Sequence, residues 1–229
     1  MLILVLGKGK TGSLVAQVAR ERGHGVRALD IFENEHASAL TAPSLAGVDV
    51  VIDFTAPEAA AENMRAVLSL GSRIVVGTTG WYAQLDEMKS LAVRRHGGLL
   101  YGTNFSIGVQ KLFRLTADLA KLEGYTFSVS ETHHLTKLDA PSGTAITLRE
   151  IVEAEQAKIG ASGKVEITSH RVGDAKGEHT VTASGPDDIL ELRHNAHSRR
   201  GFALGAVRAA EWLAGKEGAW DFREVFDQL

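Results

Sequence analysis

Through the first half of the chain, short apolar runs that stop at a glycine or an acid alternate with amphipathic stretches. Leu2–Leu6 is uninterruptedly apolar, the pattern of a strand buried on both faces. Residues 13–22 then place Leu14, Val15, Val18 and Ala19 on one helical face, and a second strand over 26–29 ends at Asp30. The alternation continues with a strand at 48–55, a helix at 57–70 with Pro57 in its first turn, and a strand at 72–76. A helix at 82–96 and a strand at 99–101 follow. Repeated strand–helix units predict a parallel, doubly wound sheet. After Ser106 the pattern changes. A helix over 107–122 leads into longer strands rich in β-branched residues at 125–132, 164–170, 179–184 and 189–194. A helix over 144–159 crosses between two of them, and connections such as Gly185-Pro186-Asp187-Asp188 predict an open antiparallel or mixed sheet.

The first strand runs into Gly7-Lys8-Gly9-Lys10-Thr11-Gly12, a G-x-G-x-x-G that opens a helix and is followed by a strand ending in an acid. In that order these are the parts of a dinucleotide site. Gly7 permits the tight turn, Gly9 lets the backbone approach a pyrophosphate, Gly12 lets helix and strand pack closely, and Asp30 stands where a carboxylate bonds ribose hydroxyls. Gly9-Lys10-Thr11 resembles the end of a nucleotidase phosphate loop, but that motif requires glycine where Leu4 stands. Ligands of doubly wound sheets sit beyond the carboxyl ends of strands. Asp53-Phe54-Thr55, Gly77-Thr78-Thr79-Gly80 and Gly102-Thr103-Asn104-Phe105 lie there, all carrying small or hydrogen-bonding residues suited to a nicotinamide riboside. The expectation is an α/β protein with a Rossmann dinucleotide-binding domain over residues 1–105. A C-terminal α+β domain with an open mixed sheet occupies 106–229, its helical segment at 203–213 packing back on the first domain.

The run Glu131-Thr132-His133-His134-Leu135-Thr136-Lys137-Leu138-Asp139-Ala140-Pro141-Ser142-Gly143-Thr144 gathers unlike chemical tools between a strand and a helix. Imidazole moves protons near neutral pH, ammonium is a fixed cation, and a helix start at Ser142, Gly143 and Thr144 offers N–H groups to an anion. Together they suit a small carboxylate that is protonated as it reacts. Taken singly, Ser142 is an ordinary N-cap and the histidines are satisfied strand-end residues.

Composition removes several classes. A formal charge of −3 argues against nucleic acid as a partner, and no apolar run approaches a membrane span. The start reads as a strand and not as a secretion leader. The absence of cysteine excludes disulfides and thiolate metal sites and fits a cytoplasmic protein. The nine histidines do not imply a metal: His133 and His134 are neighbours on an extended segment and point to opposite sides. His170, His179, His194 and His197 lack helical ligand spacing.

Glu131 to Ala145 resembles the E-x-H-H-x-x-K-x-D-A-P-S-G-T-A signature of the 4-hydroxy-tetrahydrodipicolinate (dihydrodipicolinate) reductase family. Similar family blocks are Val51-Ile52-Asp53-Phe54-Thr55, Gly77-Thr78-Thr79-Gly80-Trp81, Asn104-Phe105-Ser106-Ile107-Gly108 and Gly177-Glu178-His179-Thr180-Val181, with His194 through Arg199 and Phe202-Ala203-Leu204-Gly205-Ala206. The resemblance implies NADH- or NADPH-dependent reduction of a cyclic dicarboxylate in lysine and diaminopimelate biosynthesis. It makes His133 the proton donor or acceptor and Lys137 a proton donor that also holds substrate. His134, Ser142, Gly143 and Thr144 contact substrate carboxylates. Gly7, Lys8, Gly9, Lys10, Thr11, Gly12, Asp30, Gly77, Thr78, Thr79, Gly102, Thr103, Asn104 and Phe105 bind cofactor. It further implies a homotetramer joined through the second-domain sheets, with domains that close over substrate. Two departures stand out: the glycine loop is one residue shorter than is usual and lacks a Met before its last Gly, and the stretch between Asp30 and Asp49 is short. Two rival readings are another dehydrogenase of this fold acting on an amino or imino acid, and a dinucleotide sensor without turnover. The proton equipment at His133 and Lys137 weighs against the sensor.

Overall fold

The computed structural model describes residues 1–161 and 163–229 and divides into two compact units, 1–106 with 200–229, and 107–199. The first unit carries a sheet of six parallel strands in the order β2-β1-β3-β4-β5-β10. These are β1 (Leu2–Leu6), β2 (Gly25–Leu29), β3 (Val50–Asp53), β4 (Arg73–Val76), β5 (Gly98–Tyr101) and β10 (Gly218–Asp221). β1, β3 and β5 are almost wholly buried, as an apolar run covered on both faces must be. Alternate side chains separate to the two faces. Leu4, Leu6, Val51, Ile74 and Leu99 pack with Met64 and Leu68 of α3 (Pro57–Ser69) and Met88 of α4 (Leu85–Arg94). On the other face lie α1 (Lys10–Glu21) and α7 (Arg200–Leu213), in contact with each other. The short α2 (Ala42–Leu45) precedes β3 in the chain.

The helix expected over 82–96 begins instead as a 3-10 turn, Tyr82–Gln84, with α4 following. The segment after 199 does more than pack back as a helix. α7, β10 and α8 (Phe222–Val225) complete the first unit, so the sequence-based domain spanning 106–229 gives up its last thirty or so residues to the first. α7 approaches the 104–106 segment so closely that a Cβ at Gly205 would lie 1.7 Å from the Phe105 carbonyl oxygen. Only glycine allows that approach.

The second unit is a mixed sheet, β7-β6-β8-β9, with α5 (Ile107–Leu119) and α6 (Gly143–Lys158) packed together against it. β6 (Thr126–His133) and β7 (Glu166–Arg171) are parallel and joined through α6, while β8 (Glu178–Ser184) and β9 (Ile189–Asn195) add antiparallel. One register row facing the helices, Ile167–Val129–Val181–Leu192, is entirely apolar. The next inward row is Ser169–Glu131–His179–His194, entirely polar. The core thus ends abruptly, and α6 begins beside that polar row.

Candidate active site

In the first unit the strand order reverses at β1, where β1 and β3 run side by side. A cleft of about 460 Å³ opens there, lined by Gly9, Lys10 and Thr11 after β1, Phe54, Thr55 and Pro57 after β3, and Gly77, Thr78 and Thr79 after β4. This is the position doubly wound sheets give to ligands. The loop passes a specific test of fit to a pyrophosphate. Gly7 has φ +92°, and a Cβ there would lie 2.3 Å from the Phe54 carbonyl oxygen, while a Cβ at Gly12 would lie 1.9 Å from the Gly7 oxygen. A Cβ at Gly9 would meet no protein atom within 4 Å. Gly7 and Gly12 therefore fold the loop onto itself, and Gly9 faces open space as the N-cap of α1, with no side-chain cap on the helix start. The shortened loop keeps the anion-binding helix end.

The neighbouring expectations divide. Asp30 caps a 3-10 turn, its carboxylate accepting from Ile31 N at 2.5 Å, and its own N–H donates to Glu33 at 2.7 Å. Lys8 is ion-paired with Glu33. The hydroxyl of Thr78 faces inward, donating to the buried Asp53 at 2.7 Å and accepting from Thr55 N at 2.8 Å. Asp53 also accepts from Thr55 Oγ1 and from Asn63 at 2.7 Å. Burial pushes its carboxyl up, against these donors. Thr78 thus offers a ligand its backbone, not its hydroxyl. Phe105 is core, its ring 4.5 Å from that of Phe222, and Gly102 sits against Phe222 Cβ. Thr79 and Thr103 are exposed, and Asn104 Oδ1 accepts from Ser106 N at 2.8 Å.

In the second unit β6 delivers His133 inward and buried, two residues beyond Glu131 on the same face, and the chain turns at His134. His134 Nδ1 meets Thr136 Oγ1 at 2.9 Å, and its Nε2 faces Arg199 at 3.4 Å. Lys137 is ion-paired to Asp139 at 2.6 and 2.8 Å. Ser142 caps α6, its Oγ accepting from Ala145 N at 3.3 Å, and Gly143 and Thr144 form the helix's first turn. The structure brings His133, His134, Lys137 and the α6 start together within one unit.

Four residues with no role in the sequence reading also belong to this site. Glu131 is fully buried and accepts from Ser142 N at 3.1 and 3.2 Å and from Arg171 Nη2 at 3.2 Å. Arg171 donates as well to the carbonyls of Lys137 at 3.3 Å and Asp139 at 2.5 Å, fastening the 137–139 loop to β7. His179 Nε2 is 3.1 Å from Ser142 Oγ and 3.7 Å from Glu131. Gly177, at φ +132°, leaves room for His133, since a Cβ would lie 3.2 Å from its Nε2. Strand alternation marks 131 and 133 as one face, but nothing local in the sequence pairs them with 171, 177 or 179.

Burial opposes the ionised form of Glu131, yet polar contacts of Ser142, Ser169 and Arg171 hold its pKa below the usual carboxylate value. Burial lowers His133, with Glu131 acting against it and Lys137 and Arg171 with it. Burial, reinforced by His133, pushes His179 down to about 4. Glu131, His133 and His179 lie close enough together to share a cation. Both Glu131 oxygens are already engaged and the Arg171 guanidinium adjoins them, so the donor set does not fit a resident metal.

Comparison with known proteins fits both units. A family model described as dihydrodipicolinate reductase, N-terminus, matches residues 1–105, and its C-terminal counterpart matches 108–226. A 4-hydroxy-tetrahydrodipicolinate reductase from Christiangramia forsetii is 34% identical, over 100% of this chain and 99% of its own length. One from Natronomonas pharaonis is 38% identical, over 98% and 100%. Among solved structures, a dipicolinate-bound dihydrodipicolinate reductase from Paenisporosarcina sp. TG-14 shares the fold at a TM-score of 0.79 and 23% identity, covering 100% of this chain and 99% of that one. An amine dehydrogenase from Mycobacterium smegmatis also shares the fold, at a TM-score of 0.65 and 12% identity over 97% and 95%. Fold alone therefore does not separate the reductase from the rival dehydrogenase, whereas sequence does. On both halves of its length, this chain belongs to the dihydrodipicolinate reductase family.

Proposed function

We propose that this protein reduces 4-hydroxy-tetrahydrodipicolinate to tetrahydrodipicolinate with NADH or NADPH, in the route to diaminopimelate and lysine: the 4-hydroxyl leaves as water, and the ring takes up one hydride and one proton. Besides family membership, one observation carries this reading: a buried imidazole, a lysine and a helix start adjoin one another in the second unit. A bound nicotinamide supplies the hydride. The chain's residues do the rest. The first-turn N–H groups of α6 and the Lys137 ammonium hold carboxylates, as helix starts and cations do. Lys137 first leaves Asp139. His133 sits low in the free protein because it is buried, and the arriving carboxylates favour its protonated form. It is then a general acid, with Lys137 able to replenish the proton.

Asp30 and Glu33 set two carboxylates just after β2, the strand end at which doubly wound folds bond an adenosine ribose, and Lys8 is ion-paired with Glu33. That favours the unphosphorylated cofactor. The sheet face of the second unit turned away from α5 and α6 carries Thr126, Ser128, Thr180 and Thr182 on strands, with Ile189 exposed. This supports a tetramer joined through that face, to be checked by sedimentation. Among the described residues no helix is long and apolar enough to cross a membrane, and we place the protein in the cytoplasm.

Pyridine-2,6-dicarboxylate tests the substrate class, since it has two carboxylates on a six-membered ring that does not readily take hydride. It should compete with substrate and bind in calorimetry. No binding with or without cofactor overturns the assignment.

A further inference from the structure

We propose that Glu131 is a positioning residue: its carboxylate supplies the negative charge opposite Nδ1 when the His133 imidazole is protonated, and its bonds to Ser142 N set that charge at the start of α6. The inference rests on the proton role given to His133 above. Glu131 and His133 share the inward face of β6, and Glu131 Oε2 lies 3.3 Å from His133 Nδ1. The same carboxylate holds Ser142 N, so the residue that faces the imidazole also sets where the α6 helix begins. Gly177 stands beside the opposite ring nitrogen, Nε2. The Glu131 carboxylate thus faces Nδ1, which makes no hydrogen bond in the free protein, while Nε2 meets a position with no side chain.

The charges facing His133 come from every neighbouring element: Glu131 on β6, Arg171 on β7, His179 on β8, and Lys137 and Asp139 in the turn. Arg171 and Lys137 disfavour an imidazolium, and His179 is buried and uncharged near neutral pH. Asp139 is exposed and committed to Lys137. Glu131 is therefore the one buried anion among the groups named. Without it Arg171 would face His133 unneutralised. The His133 and His179 rings lie edge to face at 5.1 Å, so His179 acts as a neutral wall on the remaining side.

The test uses Glu131→Gln and Glu131→Asp with kinetic, binding and NMR readouts. In Glu131→Gln the pH–kcat limb belonging to His133 should move to lower pH, and turnover at neutral pH should fall about 10-fold, less than on removing a general acid outright. Affinity for pyridine-2,6-dicarboxylate should change by less than about 3-fold, because the Gln amide oxygen can still accept from Ser142 N and so keeps the first-turn N–H groups in place, and Lys137 remains. Glu131→Asp, which keeps the charge, should recover part of the rate. By NMR without substrate, the His133 ring should titrate at lower pH in Glu131→Gln than in the wild type. In the wild type the Glu131 carboxyl carbon should report the His133 titration midpoint, a measurement that needs no variant to fold. An unmoved His133 midpoint, a rate loss equal at all pH, or a carboxyl signal blind to His133 overturns the proposal. If the wild type does not reduce 4-hydroxy-tetrahydrodipicolinate, the functional reading fails, and the NMR titrations still decide the role of Glu131.

Discussion

On the proposed reading Lys137 must leave Asp139 before it holds a substrate carboxylate, which makes Asp139 a competitor built into the turn. Both oxygens of Asp139 reach Nζ, at 2.6 and 2.8 Å, and Lys137 holds its carboxyl below the usual range even though burial pushes the other way. The Asp139 side chain is 60% exposed, which limits what this pair contributes. Exposed pairs are worth about 0.2–1 kcal/mol, which converts to roughly 1.4- to 5-fold in a binding constant. Asp139→Asn keeps the size of the side chain and leaves the backbone carbonyl that accepts from Arg171, so the turn should hold. Its KM for substrate should fall by about 1.4- to 5-fold with kcat within about 2-fold, because the released contact is formed before and during the transition state alike. Added salt should shrink the difference, since it screens the exposed pair. Steady-state kinetics at two ionic strengths provide the assay. An unchanged or raised KM together with a large loss of kcat would refute the reasoning and make Asp139 part of the proton machinery.

Side-by-side kinetics should find NADH at least as effective as NADPH, and Glu33→Gln, by releasing Lys8, should move the ratio toward NADPH; a strong wild-type preference for NADPH contradicts this. Gly12→Ala should weaken cofactor binding in calorimetry by at least about 10-fold, because a Cβ 1.9 Å from the Gly7 oxygen forces the loop open; unchanged binding would mean the loop relaxes freely. His179, buried with a pKa near 4 against 6.5 unfolded, should make the protein less stable as pH falls. The unfolded state takes up the proton first, so stability present above pH 6.5 is lost on acidification toward 4, by about 3 kcal/mol at most. Melting curves across that window should be flatter in His179→Gln, and an identical slope counts against the buried, neutral histidine.

The strands of the first sheet are legible because each is a short apolar run, and the glycine loop because its three glycines have separate backbone duties. β10 is not legible. Gly218-Ala219-Trp220-Asp221 has no alternation and no apolar run, and it becomes a strand only because α7 returns the chain to the free edge of β5. In the second unit the alternation of β6 is readable, so 131 and 133 can be assigned one face. Strand pairing is not readable, and pairing is what sets His179 across from Glu131 and Arg171 beside His133. The HH-x-x-K run marks the candidate site, while Arg171 and His179 beside it arrive from β7 and β8. The side chains of Thr78 and Phe105 are engaged inward for a related reason: small and aromatic residues at strand ends serve equally to seal the core, and only packing decides which they do.

The most direct measurement of the central claim follows NAD(P)H absorbance with the condensation product of pyruvate and aspartate semialdehyde as substrate, for the wild type and for His133→Ala. The wild type should oxidise the cofactor only when that substrate is present. His133→Ala should turn over roughly 10²- to 10⁴-fold more slowly, with cofactor affinity and melting temperature nearly unchanged. Absence of wild-type turnover, or a His133→Ala protein that keeps the full rate or loses it only by unfolding, would contradict the account.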